Sequence, residues 1–562
     1  MGAVIGKQNG HGSSRSVVGV LAAGALAGAL AGLLAGAVAL GVAELAAALI
    51  GPDSAPVIAV GETAINLTPI PVKDFAITHF GSHDKLALIA GILVLLTGFA
   101  ALIGAAAVRR IGYGLAGLAV FAGLGVTAAL RLPGAGLLDA VPTLAGVTVA
   151  AGTLVTLVRL VRLVRLVRPA EPRGGQALAK DGVTGGAGNG PALITDGLAG
   201  GPRDPAGPER RRFLAGAAGA GVLAGAAGGL GDVLLRRFSI ASSRARVRLP
   251  AAAVAAPPVP AGTDLRIPGL TAFFTSNAGF YRVDTDLVLP QVAPETWTLQ
   301  IDGMVARDIE ISFAELLRMP LTETDITLVC VSNQVGGTYA GNARWLGASL
   351  PALLRRAGVR AGADQVLSSA ADGMTISTPL ATIMDGRPAL LAVGMNGQPL
   401  PVAHGFPARM VVPGLYGYTS ATKWVTRLTV TTFAARRGYW TQRGYAAVAP
   451  IHTESRIDVP RPLAQVPAGQ VTVAGVAWAP ATGIAAVEVS VDNGAWHPAR
   501  LAATDGIDTW RQWVWTWDAA APGLHTLEVR ATDTKGVTQP SRRAQVFPSG
   551  ATGWDSVVVT VT

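Results

Sequence analysis

Cysteine is nearly absent: Cys330 is the only one in 562 residues. A lone cysteine cannot close an intramolecular disulfide, so no disulfide framework holds this chain. No CxxC pair, CxxCH element or Cys/His zinc spacing occurs, which argues against iron–sulfur clusters, c-type haem and structural zinc. Charge is sparse as well, at 14% of residues, and aromatics make up 6%. The scarcity is uneven. Residues 1–168 are mostly Ala, Gly, Leu and Val, whereas charges, aromatics and turn signals become regular after Asp264. The formal charge of +10 would suit nucleic acid. Its visible clusters lie beside apolar runs, however, so membrane topology accounts for them and no nucleic-acid partner is expected.

Five apolar stretches, roughly 17–42, 86–108, 111–130, 137–158 and 213–235, are long enough to cross a bilayer, which takes about 20 residues. Basic residues flank alternate ends: Lys7 and Arg15; Arg109 and Arg110; Arg159, Arg162, Arg165 and Arg168; then Arg210, Arg211 and Arg212. Counting crossings puts all four clusters on one side, the cytoplasm, with only Arg236 and Arg237 dissenting. The N-terminus is then cytoplasmic and everything after Leu235 extracytoplasmic. Gly24, Gly28, Gly32 and Gly36 recur every four residues and predict close approach of a second helix. His79 and His83 lie in the 51–85 loop, so no span carries an axial ligand for b-type haem. The repeat "RLVRLVRLVR" (159–168) predicts a solvated helix extension against anionic lipid headgroups. Residues 169–209 read as a flexible cytoplasmic linker. Arg210-Arg211-Arg212-Phe213-Leu214 resembles a twin-arginine export signal, opening the fifth span over 210–236. That pathway carries folded proteins, which suits a domain loaded with its cofactor before export.

Residues 237–263 are basic, then Ala/Pro-rich, and read as a tether. The segment 264–445 mixes strands with short helices, an α+β pattern. "TWTLQIDGMVARDIEISF" alternates like two strands around Asp302-Gly303, and Ser312 with Glu315 forms a capping box for the next helix. From 446 to 562 the texture is short alternating strands, with a hairpin signal at Asp492-Asn493-Gly494 and Trp513, Trp515 and Trp517 on one strand face. This predicts an immunoglobulin-like β-sandwich of the kind that pairs domains. The expected architecture is thus a transmembrane helical bundle, an α+β domain and a β-sandwich.

Cys330 ends the strand "DITLVC" and opens the polar loop "VSNQVGG". Read from the residues alone, it is a small buried hydrophobe, a nucleophile with His404 as its base, or a thiolate metal ligand. A metal arriving inside a preformed organic cofactor needs only one such ligand. The segment "LVCVSNQVGGTYAGNARWLGASLPALL" resembles the cysteine segment of the sulfite oxidase family of molybdopterin enzymes. "HGFPARMVVPGLYGYTSATKWVTRL" (404–428), "FYRVDT" (280–285) and "GYWTQRGY" match further family elements in order.

The resemblance implies that Cys330 is the thiolate ligand of molybdenum, and that Arg344 lies at the cofactor as a catalytic group. Tyr281, Asp284 and Thr285 would contact the pterin, and Asp372 would lie beside it. His404, Arg409, Ser420, Thr422 and Lys423 would hold the pterin and its phosphate, the task an Arg fork and a Lys charge suit. The implied activity is two-electron oxidation or oxygen-atom transfer, with neither haem nor an iron–sulfur cluster in the chain. Electrons then leave through a separate partner, and the sandwich allows a homodimer. Sulfite-oxidising members place arginines after the cysteine; "VSNQVGG" has none, so sulfite is not the favoured substrate. Reduction of an S-oxide is the alternative direction. A non-catalytic surface binding protein is the competing class, and it has no use for Cys330, Arg409 and Lys423 together.

Overall fold

The computed structural model describes residues 12–69, 72, 75, 80, 84–132, 135–166, 207–237 and 240–562. The expected linker up to residue 206, Lys7, Arg168, His79 and His83 lie outside them. The chain divides into two compact units, Met1–Arg237 and Phe238–Thr562.

The first unit is helical. Helices Gly12–Ile50, Asp84–Arg109, Ile111–Leu130, Val141–Leu166 and Gly207–Arg237 carry five apolar spans of 20 to 29 residues. They coincide with the five expected stretches and extend most of them. Gly28 and Gly32 lie backbone to backbone against Gly104: a Cβ on Gly32 would overlap the Ala100 carbonyl and stand 2.8 Å from Gly104 Cα. The four-residue glycine spacing therefore marks a packing face. Two features depart from expectation. The stretch expected as a loop contains another helix, Pro56–Leu67, opened by a proline at its first position. Arg162, expected in a lipid-facing extension, instead donates to the Val108 and Ala107 carbonyls at 3.2 and 3.0 Å. Those carbonyls belong to the unsatisfied last turn of the second span, Asp84–Arg109, where a cation is favoured.

The second unit is rich in sheet. Its α+β part holds two sheets. One runs in the order 309–312, 298–303, 425–431, 365–370, 375–379. The other runs 321–329, 340–349, 390–395, 398–399, with 409–411 also paired to 390–395. The capping box forms as written in the sequence: Ser312 Oγ accepts from Glu315 N at 3.3 Å, and Glu315 Oε2 accepts from Ser312 N at 2.8 Å. Large apolar side chains such as Trp297, Leu299, Ile301 and Leu428 fill the core between the two sheets and their helices.

Residues 240–263 are not a free tether. Ile240 is buried in this unit's core and Arg244 donates to the Leu400 and Pro399 carbonyls. Ala253 N donates to Leu321 O at 2.8 Å, so the chain lies along the edge of the strand that leads to Cys330. Residues 240–263 thus already pack within this unit, ahead of Asp264, where composition alone places the domain start.

The C-terminal part has two sheets, 454–459, 469–478, 511–519, 500–501 and 465–466, 555–561, 523–533, 484–491, 497–498. They close on one apolar core that includes Trp513 and Trp517, with Trp515 at its margin. Asp492 and Asn493 both take positive φ, 52° and 57°, as the hairpin signal requires.

Candidate functional site

The strand Leu321–Val329 is buried over its last five residues and pairs antiparallel with Ala340–Ser349, ending at Val329 opposite Ala340. Cys330 N then donates to Tyr339 O at 2.9 Å and closes a loop over 330–339. Asn333 holds that loop from inside: its N donates to Cys330 O at 3.0 Å and its Oδ1 accepts from Tyr339 N at 2.8 Å. The thiol is 9% exposed and accepts from Ser332 N at 3.4 Å. Burial pushes it up, opposed by the Ser332 donors and the Lys423 cation.

The facing wall is the segment 404–423. Gly405, at φ 106°, lets Arg409 and Lys423 close over it: a Cβ there would stand 3.0 Å from Arg409 Cβ and 3.1 Å from Lys423 Cα. Arg409 is 5% exposed and donates only to carbonyls, those of Met410, His404 and Ala421, at 3.4, 3.1 and 3.3 Å. Its guanidinium also stands 5.1 Å from the Trp345 ring. No carboxylate pairs with it among the described residues. Burial depresses it to about 10, with Tyr281 opposing.

Lys423 donates to Asp284 Oδ2 at 3.0 Å, and Arg282 reaches the same oxygen at 2.7 Å. Burial pushes Lys423 down to about 8; Asp284 opposes, and Arg409 and Arg282 add to the fall. His404 donates from Nε2 to Asn277 O at 3.1 Å. Burial, then Arg409, holds it at about 4, so it is a neutral imidazole with Nδ1 as an acceptor. Tyr281 stacks on Phe280 at 5.2 Å, and burial, with Cys330 adding, pushes its phenol up. Asp372 accepts from Met374 N at 2.9 Å; burial raises it, while Lys423 pulls it down. Ser420 Oγ bonds to the Leu415 and Tyr416 carbonyls, and Thr422 Oγ1 to Ser368 Oγ at 2.5 Å.

Cys330, Tyr281, Asp284, Asp372, His404, Arg409 and Lys423 therefore lie within electrostatic reach of one another. Ser420 and Thr422 flank them on one segment. Thr285 follows Asp284 in the chain, half-buried. Arg344 is not brought to Cys330. It lies opposite Asp325, five positions before the cysteine, which is about 17 Å along a strand. There both its Nε and Nη2 bond Asp325, at 2.8 and 2.7 Å. The resemblance implied a place at the cofactor; the strand register sets Arg344 instead in a partly buried ion pair with Asp325. Reading the sequence missed Asn277, Asn333 and Arg282 as members of the site. Only Arg282, in "FYRVDT", left a signal that could have found it.

The donor set offers one soft sulfur. Among the described residues no three His, Cys, Asp or Glu side chains come together to cage a metal. A metal at Cys330 has to bring most of its own ligands. The fully buried guanidinium of Arg409 calls for an anion that the chain does not supply. An organic metal cofactor bearing phosphate meets both demands.

Comparison with known proteins agrees with that chemistry. The oxidoreductase molybdopterin-binding domain family matches residues 286–440. Sulfite oxidase of Gallus gallus is 32% identical over 324 residues, covering 49% of this chain and 70% of that protein. The mitochondrial sulfite oxidase of Homo sapiens is 31% identical, with 49% of this chain and 57% of that protein covered. The uncharacterised oxidoreductase YuiH of Bacillus subtilis is 34% identical over 149 residues, 26% of this chain and 72% of that protein. Among solved structures, the sulfane dehydrogenase SoxCD of Paracoccus pantotrophus aligns at TM-score 0.46 and 23% identity, over 52% of this chain and 84% of that one. The chain belongs to the sulfite oxidase family of molybdopterin-dependent oxidoreductases.

Proposed function

We propose that this protein is a membrane-anchored, exported oxidoreductase that carries out two-electron oxidation or oxygen-atom transfer on a small substrate at a Cys330-ligated molybdenum. The observation that carries the reading is Arg409, a buried guanidinium without a carboxylate among the described residues, set on the same segment as Lys423 and beside Tyr281, which also borders Cys330. When bound, the molybdenum–pterin supplies the redox chemistry, and the protein binds, orients and insulates it.

Cys330 would hold the metal as a thiolate. Burial opposes its ionisation, and metal binding removes that proton. Arg409 would take the cofactor's phosphate with its fork, and the hydroxyls of Ser420 and Thr422 would add acceptors and donors beside it. Lys423 is held by Asp284 and so contributes a fixed charge. Neutral His404 offers Nδ1 to a donor on the pterin, while Asn277 fixes its ring. Tyr281 keeps its proton next to Cys330 and can donate it as a hydrogen bond. Arg344 has no part in this reading.

Cations available to a doubly charged substrate are few. Arg282 and Lys423 share one carboxylate, and the 330–339 loop carries none. The five apolar helices and their alternating basic flanks support a cytoplasmic N-terminus, with residues 240–562 outside the cytoplasm and Arg210–Leu214 as the export signal. Electrons pass to a separate acceptor.

Metal analysis of the full chain after expression in cofactor-competent cells tests the reading. About one molybdenum per chain is expected, and less than about a tenth would sink it. A screen of sulfite against neutral sulfoxides, with artificial electron donors and acceptors, then fixes substrate and direction. A reporter fused after residue 562 is expected to be active only outside the cytoplasm.

A further inference from the structure

The loop that carries Cys330 is braced by side chains of the C-terminal sheets. Arg456 Nη1 donates to Gly337 O at 2.7 Å. The Asp555 carboxylate stands where a Cβ on Gly336 would fall. Glu454 Oε2 accepts from Asn333 Nδ2 at 3.5 Å, a long bond to the residue that closes the loop. Glu454 is 3% exposed, and its second oxygen, Oε1, has no hydrogen-bond partner among the described residues. Trp478, fully buried, likewise leaves Nε1 without one. These two residues are direct partners across the antiparallel strands Glu454–Val459 and Gly469–Trp478. Their side chains therefore leave the sheet on one face, with Cβ atoms about 4.5–5.5 Å apart.

Two orphaned polar atoms this close, both sealed from solvent, make the kind of site that one buried water fills. No cation compensates a charge on Glu454. The groups facing it are the Asp555 carboxylate, the Tyr416 phenol, the Asn333 amide and the Trp478 indole. On its own strand, Arg456 is spent on Asp458, Gly337 and Thr271, and just before the strand Thr453 bonds Asp533. Tyr416 lies within electrostatic reach of both Glu454 and Cys330, so the carboxyl is one side chain removed from the thiol's surroundings.

We propose that Glu454 is a proton-holding positioning residue of the Cys330 loop, and that it shares with Trp478 a buried site for one water through which its proton is exchanged. At a pH where Glu454 is ionised, it takes up a proton that comes from solvent and is relayed by that water as the Cys330 site gains electrons. The proton returns to solvent by the same water as they leave, so charge in the pocket stays balanced. Burial, reinforced by Asp555 and opposed by Asn333, raises the carboxyl to about 8, which agrees with a neutral resting form. The redox half of the proposal rests on the molybdenum reading above; the proton half does not.

The test uses the full chain in detergent as wild type, Glu454→Gln and Trp478→Phe. Infrared titration of the wild type is expected to show a protonated-carboxyl band that disappears near pH 8. Asp505, raised to about 6, titrates below that window. The band should be missing in Glu454→Gln and shifted in frequency in Trp478→Phe, which loses the indole donor. In the loaded protein, the molybdenum midpoint potential should vary with pH across the same window in wild type, and that component should vanish in Glu454→Gln. A carboxyl already ionised at pH 6, or the same potential–pH curve in wild type and Glu454→Gln, overturns the proposal. Should Glu454→Gln fail to fold, a band unmoved by Trp478→Phe overturns the shared water site on its own. A chain that binds no molybdenum refutes the functional reading instead, and the infrared band still decides the proton.

Discussion

Arg409→Met asks whether a buried guanidinium is part of the fold or reserved for a ligand. Burial lowers Arg409 from 12.5 to about 10. At about 1.36 kcal/mol per unit, that places roughly 3 kcal/mol against the charged form in the cofactor-free protein. For a base with a depressed folded value, this cost is fully present below about pH 10 and fades only as pH rises toward 12.5, so it applies at neutrality. Against it stand three hydrogen bonds to carbonyls at 3.1 to 3.4 Å. At these lengths they return roughly 1 kcal/mol each. The two sums nearly cancel. Removing the charge should therefore change the stability of the cofactor-free chain by less than about 2 kcal/mol. A phosphate changes the comparison, because two charge-assisted bonds to a fork contribute about 1.5–3 kcal/mol each. That is roughly a 10²- to 10⁴-fold loss of cofactor affinity on substitution.

The assay pairs two measurements on wild type and Arg409→Met: thermal unfolding of cofactor-free protein, and pterin and molybdenum per chain after cofactor-competent expression. Near-equal melting with pterin content down at least tenfold is expected. Arg409→Lys should fall between, since it keeps a charge but loses the fork. A variant that melts far below wild type yet retains its pterin would show that the carbonyl contacts are the purpose of Arg409 and refute the reasoning.

Cys330→Ser should abolish turnover while pterin content stays within about twofold of wild type, because Arg409 and its neighbours are untouched; unchanged turnover in a substrate screen removes the ligand role. Glu454→Gln should alter the pH dependence of stability. A carboxyl raised from 4.5 to about 8 favours the folded state below pH 4.5 and loses that contribution as pH rises to about 8. The variant should therefore gain on wild type by about 1 kcal/mol per pH unit between pH 5 and 8, read by denaturant unfolding, and parallel curves would contradict it. Gly32→Leu should destabilise the helical unit by roughly 3 kcal/mol or prevent its assembly, because the new side chain meets the Ala100 carbonyl. Gly225→Leu, where nothing lies within 4 Å, is the control, and equal melting of the two variants in detergent would refute the packing face.

What could be read from the sequence is what local chemistry determines. The spans follow from apolar length, the Ser312–Glu315 box from residues three apart, and the Asp492-Asn493 turn from a conformation few residues accept. The cysteine, the basic residues and the histidine of the site lay in two recognisable segments, so their meeting was legible as well. What escaped depends on partners distant in the chain. Residues 240–263 have no periodicity, because they dock by backbone hydrogen bonds along an edge strand, and such bonds leave no side-chain pattern. Arg162 is one of four equivalent arginines in a repeat, and only the neighbouring helix singles it out. Arg344 shows the opposite case: the resemblance implied a place at the cofactor, but in a β-ladder each residue adds about 3.4 Å, so fourteen positions and a turn set it opposite Asp325. Glu454 combines both effects. It is an ordinary acidic residue in a strand of the C-terminal part, 124 positions from Cys330, and nothing in its surroundings in sequence marks it. Its character comes from being sealed between a tryptophan of the next strand and a loop of the preceding domain. Contacts of that kind, where the C-terminal sheets bear on the cysteine loop, are therefore the part of the site that local sequence chemistry leaves unmarked.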